Sequence, residues 1–124
     1  DFGTALKYTD NNNKHIRNTL EANMHLKDVH RNFFFASKNY FDGQTLSRRD
    51  DLFSILYTLL LLINPSDFKM KEIVLQNRPT EEVFQEMARY KLNTLPKEIC
   101  TDSRSLCLLE VFEEVNSYGF DETP

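Results

Sequence analysis

The chain has 124 residues, of which 40% are hydrophobic and 12% aromatic, so one domain or part of one can form a core. Its net charge of -4 argues against a general binder of nucleic acid or of anionic membranes. The most apolar stretch, Leu52 to Ile63, is shorter than the ~20 residues that span a bilayer, which excludes a membrane-spanning helix there and favours a buried one.

The first part of the chain, residues 1–35, has no sustained periodicity of a helix or a strand and reads as an extended loop. Its polar stretch 9–14 is rich in Asn and Asp, which suit turns. A loop of this length is unusual in a compact domain unless it has a function. His15 has no partner that the sequence reveals, and no convincing strand hairpin is visible.

Three consecutive phenylalanines, residues 33–35, follow this loop. They cannot all face one side of a helix or strand, so we expect some to pack on another surface or to contact a partner. A short helix is predicted from Ser37 to Phe41, and the Asp42-Gly43 pair after it is typical of a helix stop.

The clearest helix is predicted from Ser47 to Ile63. Ser47 can cap the first turn, and Asp50 lies at the third position, as in a capping box. Apolar residues occupy nearly every position from Leu52 onward, so we expect this helix to be buried on all sides. Asn64 and Pro65 end it, because the residue before proline avoids helical angles.

Three further helices are predicted in the rest of the chain: a weak one over 67–76, an amphipathic one over 80–92, and a last one from Asp102 or Ser103 to Tyr118. Gly119 is expected to cap the last helix. The sequence therefore predicts a mainly α fold.

The two cysteines, Cys100 and Cys107, form no CxxC pair, and no histidine cluster completes a zinc site. Two reduced cysteines in or near a core are the favoured interpretation, with a disulfide as the alternative. Reduced cysteines are typical of an intracellular protein.

Two motifs together resemble a known family. The chain opens on Asp1-Phe2-Gly3, and residues 47–52 read SRRDDL at the mouth of the apolar helix. In this order they are similar to the activation segment and the following helix of casein kinase I family serine/threonine kinases. Residues 36–39 (ASKN) match the family's AS-I-N, and residues 120–124 look like its FDDKP. The resemblance covers the whole chain and is thin over 9–35 and 65–91.

The resemblance implies that residues 1–124 are part of a protein kinase domain: the C-terminal lobe from the DFG motif onward, with about four to five helices and without the upper lobe. Residues 1–39 would be the activation segment, 47–63 the buried central helix and 64–124 the remaining lobe helices. The activation-segment motif residues are Asp1, Phe2, Gly3, Ala36 and Ser37.

It also implies roles for particular side chains. Asp1 would bind the Mg²⁺ ions that bridge the ATP phosphates. Asp51 would be the structural anchor of the catalytic loop, although a local role at the helix N-terminus is the alternative. Arg48 and Arg49 would act electrostatically on the substrate or the activation segment, or else are a solvated pair.

The sequence departs from the family pattern at several positions. Aligned backward from residues 36–37, the family's loop arginine falls on Phe34 and its second threonine on Asn32. A glycine expected in the central helix falls on Leu56. The residues contain no Gly-rich loop, no ATP-gripping lysine and no H-R-D catalytic loop. We therefore expect the chain alone to be inactive and to bind ATP and Mg²⁺ weakly at most.

The implied parent activity is transfer of the ATP γ-phosphoryl group to Ser or Thr of protein substrates, in the cytoplasm or nucleus, with part of the surface covered by the upper lobe. No nucleic-acid or membrane partner is expected. Two alternatives stay open: a degenerate kinase lobe that acts as a protein-interaction module, and an unrelated small helical adaptor that forms a closed bundle.

Overall fold

The computed structural model describes residues 5, 7–16, 33–66 and 68–122. Within these residues the chain is mainly helical, as predicted, and contains no strand. The helices are α1 (Lys38–Phe41), α2 (Arg48–Ile63), α3 (Met70–Val74), α4 (Thr80–Asn93), α5 (Pro96–Ile99) and α6 (Leu109–Ser117), with a 3-10 turn at Leu106–Leu108. Helices α1 and α3 pack on α4, while α2 and α5 pack on α6.

A small hairpin occupies residues 8–16, where the sequence predicted only a loop. An antiparallel bridge joins Thr9 and His15, and the Ile16 amide donates to the Tyr8 carbonyl at 2.9 Å. Asp10 closes the turn by accepting from the Asn12 and Lys14 amides at 2.8 and 2.9 Å. The hairpin was missed because side chains that bond the local backbone build it, and no alternating apolar pattern marks it.

The ends of α1 and α2 follow their predicted caps. The Ser37 hydroxyl accepts from the Tyr40 amide at the start of α1, and Gly43 follows that helix with φ 70°. The Asp50 carboxylate accepts from the Ser47 amide at 2.7 Å, which is half of the predicted capping box. Helix α2 ends before Asn64, as expected from the proline that follows.

The later helices differ from prediction in their bounds. Helix α3 covers only Met70–Val74 of the predicted 67–76. The last helix starts at Leu109 and not at Asp102 or Ser103. A tighter turn precedes it, in which the Asp102 carbonyl accepts hydrogen bonds from both the Ser105 and the Leu106 amides. Tyr118, in extended conformation, ends this helix in place of Gly119.

Helix α2 is buried on one face only, which corrects the expectation of burial on all sides. Its buried face contributes Phe53, Leu56, Tyr57 and Leu60 to the core. On the opposite face Ile55 is 54% exposed and Leu62 73% exposed, with Leu59 and Ile63 also exposed. The difference arises because no described segment lies over that second face, although its composition is equally apolar.

Of the three phenylalanines, Phe33 is part of the core and the other two pack against it. Phe33 is buried, with ring centroids 5.6 Å from Phe84 and 6.0 Å from Phe41. Phe34 and Phe35 are half-buried, and both contact Phe68, at 5.8 and 6.0 Å. We expected some of these side chains to pack on another surface or to contact a partner, and that surface is the core of the protein itself.

Cys100 is buried, Cys107 is exposed, and no disulfide joins them. None of the helices that the structure describes combines the length and the hydropathy required to cross a membrane.

Candidate functional site

The segment from Phe33 to Asn39 is held at its far end by a buried carboxylate. Asp50, 4% exposed, accepts hydrogen bonds from the Ser37 hydroxyl at 2.5 Å and from the Asn39 amide group at 2.8 Å, besides the Ser47 amide. The Arg49 Nε lies 3.9 Å from the second carboxylate oxygen. We call Asp50 and its three donors the Asp50 centre.

The Asp50 centre satisfies the main requirement of a buried charge. A carboxylate removed from water is strongly disfavoured unless hydrogen bonds replace its hydration. Here two side chains and one backbone amide donate to it, and the first turn of α2 adds its favourable dipole. The arrangement fixes the distance between the segment before α1 and the start of α2.

The near end of the same segment is held by a buried ammonium group. Lys91, 3% exposed, donates from Nζ to the carbonyls of Phe33 and Phe34 at 2.8 Å each and to the carbonyl of Ala36. Its Nζ also lies 4.3 Å from the centre of the Tyr57 ring and 5.3 Å from that of Phe41. We call this group the Lys91 centre.

Burial lowers the pKa of Lys91 well below its usual value, because the charged form loses its hydration. The three carbonyls oppose this effect, since they match the three hydrogens of an ammonium and a neutral amine offers only two. The same burial raises the pKa of the neighbouring Tyr57 hydroxyl.

The two arginines of the SRRDDL motif turn toward residues 118–122. Arg49 is 13% exposed and donates to the Tyr118 carbonyl at 2.9 Å and to the Gln44 side chain at 3.0 Å. Arg48 lies over the Tyr8 ring at 5.0 Å and donates to the Glu122 carbonyl at 3.2 Å. They are therefore not a solvated pair, and a role toward a substrate stays a prediction.

The hairpin of residues 8–16 contacts the same part of the chain. The His15 ring meets the Tyr8 ring at 5.4 Å and the Phe120 ring at 5.5 Å, both edge to face. Its Nδ1 lies 3.5 Å from a carboxylate oxygen of Asp121. His15 thus has the partners that the sequence did not reveal.

Asp51 is rotated by about 100° around α2 from Asp50 and is exposed. Partial burial raises the pKa of its carboxyl, and the neighbouring Asp50 carboxylate adds to that shift. At helical spacing, Asp51 is continuous with Ile55, Leu59 and Leu62. We call these four residues the uncovered face. Two of them, Ile55 and Leu59, line a groove of about 280 Å³ together with Phe35, Ser54 and Thr58.

Apart from Arg48 and Arg49, the predicted site residues fall into three groups. Ala36 and Ser37 lie in the segment that the two buried charges hold, and Asp51 heads the uncovered face. The first three residues, Asp1, Phe2 and Gly3, lie outside the described residues, so the predicted Mg²⁺ ligand is not placed. Among the residues that are described, no three His, Cys, Asp or Glu side chains come together to hold a metal ion.

Two residues that matter for this geometry were not singled out from the sequence. Lys91 follows Val83 and Met87 at steps of four on the buried stripe of α4. A lysine on an apolar stripe is a signal for a buried cation and could have been found. Asn39 was noted only as part of the motif at residues 36–39, and nothing in the sequence showed that its side chain donates a hydrogen bond to Asp50.

Comparison of the chain with models of known protein families, with curated proteins and with solved structures finds no match.

Proposed function

We propose that the chain is the helical lobe of a casein-kinase-I-like serine/threonine protein kinase domain, with residues 1–39 as its activation segment. The observation that carries the proposal is the Asp50 centre. The two motifs on which the resemblance depends, residues 36–39 and 47–52, contact each other through the hydrogen bonds from Ser37 and Asn39 to Asp50. Motifs shared by chance have no reason to meet at a buried charge.

The uncovered face supports the same proposal. A helix with apolar side chains at Ile55, Leu59 and Leu62 on its exposed side requires a neighbour to cover them. In the proposed domain the catalytic loop and the helix before it take this position, and the exposed Asp51 carboxylate at the head of the face accepts hydrogen bonds from the loop backbone. A closed bundle of the adaptor type would leave no such face.

The implied chemistry belongs to the complete domain. ATP and Mg²⁺ supply the transferable γ-phosphoryl group and its charge neutralisation, and Asp1 is the implied metal ligand. The described residues contribute positioning: the Asp50 and Lys91 centres fix residues 33–39, the last part of the proposed activation segment, next to which a protein substrate would bind. The chain by itself is expected to show no phosphoryl transfer, and the complete domain would act in the cytoplasm or nucleus.

The test begins with the coding sequence that lies before Asp1 in the native transcript. We expect it to supply a Gly-rich loop, a strand lysine and an H-R-D loop. The protein extended by that sequence should transfer phosphate from ATP to a Ser-containing acidic peptide. Asp1→Ala should abolish the transfer, and Glu110→Ala, which removes an exposed carboxylate of α6, should leave it intact.

Transfer that survives Asp1→Ala, or an upstream sequence without these residues, would contradict the kinase proposal. The second candidate is a degenerate lobe that binds another protein. The triple phenylalanine no longer favours it, since Phe33 lies in the core and Phe34 and Phe35 pack against that core, but the uncovered face does. An upstream catalytic loop that lacks its aspartate, together with loss of partner binding in Ile55→Glu, would support it.

A further inference from the structure

The turn that follows α1 contains the pair Asp42-Gly43, and both residues are exposed. Gly43 has φ 70°, in the left-handed region that residues with a side chain rarely adopt. The proposed kinase function gives neither residue a role. An aspartate followed by glycine can rearrange chemically, because glycine has no side chain that hinders the approach of its nitrogen to the aspartate carboxyl group.

The folded turn holds the reacting groups in an unreactive arrangement. The Gly43 amide donates to the Tyr40 carbonyl at 3.2 Å, and the Gln44 amide donates to the Asn39 carbonyl at 2.9 Å. The Asp42 carboxylate accepts from the Gln44 side chain at 2.6 Å. Attack of the Gly43 nitrogen on Cγ of Asp42 also requires a large rotation of ψ of Asp42 away from its observed 2°. The turn must therefore open before the two groups react.

This turn can open while the core stays folded. Helix α1 is a single turn of four residues, and the chain is exposed from residue 42 to residue 44. Backbone hydrogen bonds at such exposed ends open at a lower free energy than those of the core. At the other end of α1, Ser37 caps the helix and donates to Asp50, so loss of its hydroxyl should make opening easier.

We propose that Asp42-Gly43 is a site of spontaneous aspartate isomerisation, controlled by opening of the turn after α1. The Gly43 nitrogen bonds to Cγ of Asp42, and its hydrogen leaves with the hydroxyl of the protonated carboxyl group as water. A second water then cleaves the bond between that nitrogen and the main-chain carbonyl carbon of Asp42, which leaves isoaspartate. The net reaction is an isomerisation and needs no oxidant, reductant or enzyme.

The product should weaken the contact between α1 and α2. Isoaspartate lengthens the main chain after α1 by one carbon atom and so displaces the Gly43 and Gln44 amides from their acceptors. One of these acceptors is the carbonyl of Asn39, whose side chain donates to Asp50. The modification therefore lies one residue away from the Asp50 centre. The proposal does not depend on the kinase function, because its chemistry uses only this turn and water.

The test follows the 124-residue chain during incubation at mildly acidic pH, where a small fraction of aspartate is protonated. Trypsin then releases residues 39–48, which contain Asp42, and residues 98–104, which contain Asp102. Electron-transfer fragmentation distinguishes isoaspartate from aspartate in each peptide. Residue 42 should convert slowly in the folded protein and faster in the urea-unfolded chain.

Asp102 is the internal control. It precedes Ser103, whose side chain hinders the approach of the amide nitrogen. The guanidinium and the amide of Arg104 donate to its carboxylate at 3.1 and 2.9 Å, and these bonds lower the pKa of Asp102. A carboxyl group that stays ionised loses water less readily. Residue 102 should therefore remain aspartate in the folded protein while residue 42 converts.

Three variants sharpen the test. Ser37→Ala should accelerate conversion of residue 42 about five- to thirtyfold, the factor that corresponds to the loss of one helix cap and one hydrogen bond. Ser117→Ala removes a hydroxyl from the exposed end of α6 and should change the rate about twofold or less. Asp42→Glu places the carboxyl group one carbon further away, and residue 42 should then show no conversion.

The proposal is overturned if residue 42 stays aspartate in the urea-unfolded chain, or if the folded and unfolded chains convert at the same rate. It is also overturned if Ser37→Ala, shown to be folded by thermal unfolding, converts no faster than Ser117→Ala. The comparison of folded with unfolded wild type requires no variant, so it decides the matter even where Ser37→Ala does not fold.

Discussion

Asp50 and Lys91 hold the two ends of one segment with opposite charges, yet they do not pair with each other. Each is stabilised by three hydrogen bonds, but the partners differ in kind. Two of the three donors to Asp50 are side chains, Ser37 and Asn39, whereas all three acceptors of Lys91 are backbone carbonyls. The Asp50 centre therefore requires particular residues at several positions, and the Lys91 centre requires only the lysine.

The largest effect is expected from the Asp50 centre. Asp50→Ala leaves the Ser37, Asn39 and Ser47 donors buried without an acceptor, which should lower the free energy of unfolding by about 3–5 kcal/mol. Urea denaturation measures this loss. The matched control is Asp51→Ala, one residue along the chain and exposed, which should change stability by less than about 0.5 kcal/mol. Equal effects of the two variants would show that Asp50 is not the buried anchor.

Removal of the Lys91 centre should lower the free energy of unfolding by less than removal of the Asp50 centre does. Lys91→Met keeps the apolar stem but leaves three carbonyls without a donor, and we expect a loss of about 2–3 kcal/mol, since buried carbonyls tolerate a missing partner better than buried donors do. Lys97→Met on exposed α5 is the control and should be close to neutral. A Lys91→Met protein as stable as wild type would mean that burial of the ammonium costs as much as its bonds contribute.

Single donors of the Asp50 centre can be removed one at a time. Ser37→Ala deletes one donor to the carboxylate and the N-cap of α1, so we expect a loss of about 1–2 kcal/mol. Ser117→Ala, whose hydroxyl bonds the Glu114 carbonyl on the exposed end of α6, should cost a few tenths of a kcal/mol. If Ser37→Ala were as mild as Ser117→Ala, the side-chain donors would not distinguish the two centres.

The two centres also differ in pH dependence. The pKa of Lys91 is lower in the folded protein than in the unfolded chain, so the unfolded chain binds more protons between the lowered value and 10.5. Stability should therefore rise with pH in that window, by at most about 1.4 kcal/mol per unit.

The measurement is the difference in free energy of unfolding between wild type and Lys91→Met, followed from about pH 7.5 to 9.5. The gap should widen as the pH rises. The pKa of Tyr57 is raised by burial, so its titration opposes this trend only above its usual value of 10. A constant gap would show that the three carbonyls fully offset the effect of burial on Lys91.

Local signals predicted much of the fold. Ser37, Ser47 and Pro65 mark helix ends through caps and proline geometry, which depend only on neighbours in the chain, and the structure places those ends accordingly. The start of α6 was missed because a 3-10 turn follows Asp102, and the two turn types share the same residue preferences.

The site was less predictable, because its geometry depends on the phase of α2 and on what lies beside it. Asp50 and Asp51 are identical residues one position apart, and a rotation of about 100° decides which one is buried. The resemblance drew attention to Asp51, and the sequence alone gave Asp50 only a capping role. Likewise, the residues after Leu52 are apolar on every face of α2, so the sequence does not show which face packs against the rest of the protein.

The contact between the hairpin and residues 118–122 has a consequence for folding kinetics. The rings of His15 and Phe120 come from distant positions in the sequence, whereas α1 to α6 contact one another mainly over shorter separations. Closing so long a loop is entropically unfavourable until the intervening helices have shortened it. We therefore expect the helices to form first and the hairpin to dock last, so that the amide of Ile16 exchanges its hydrogen with solvent before the amides of α2 do.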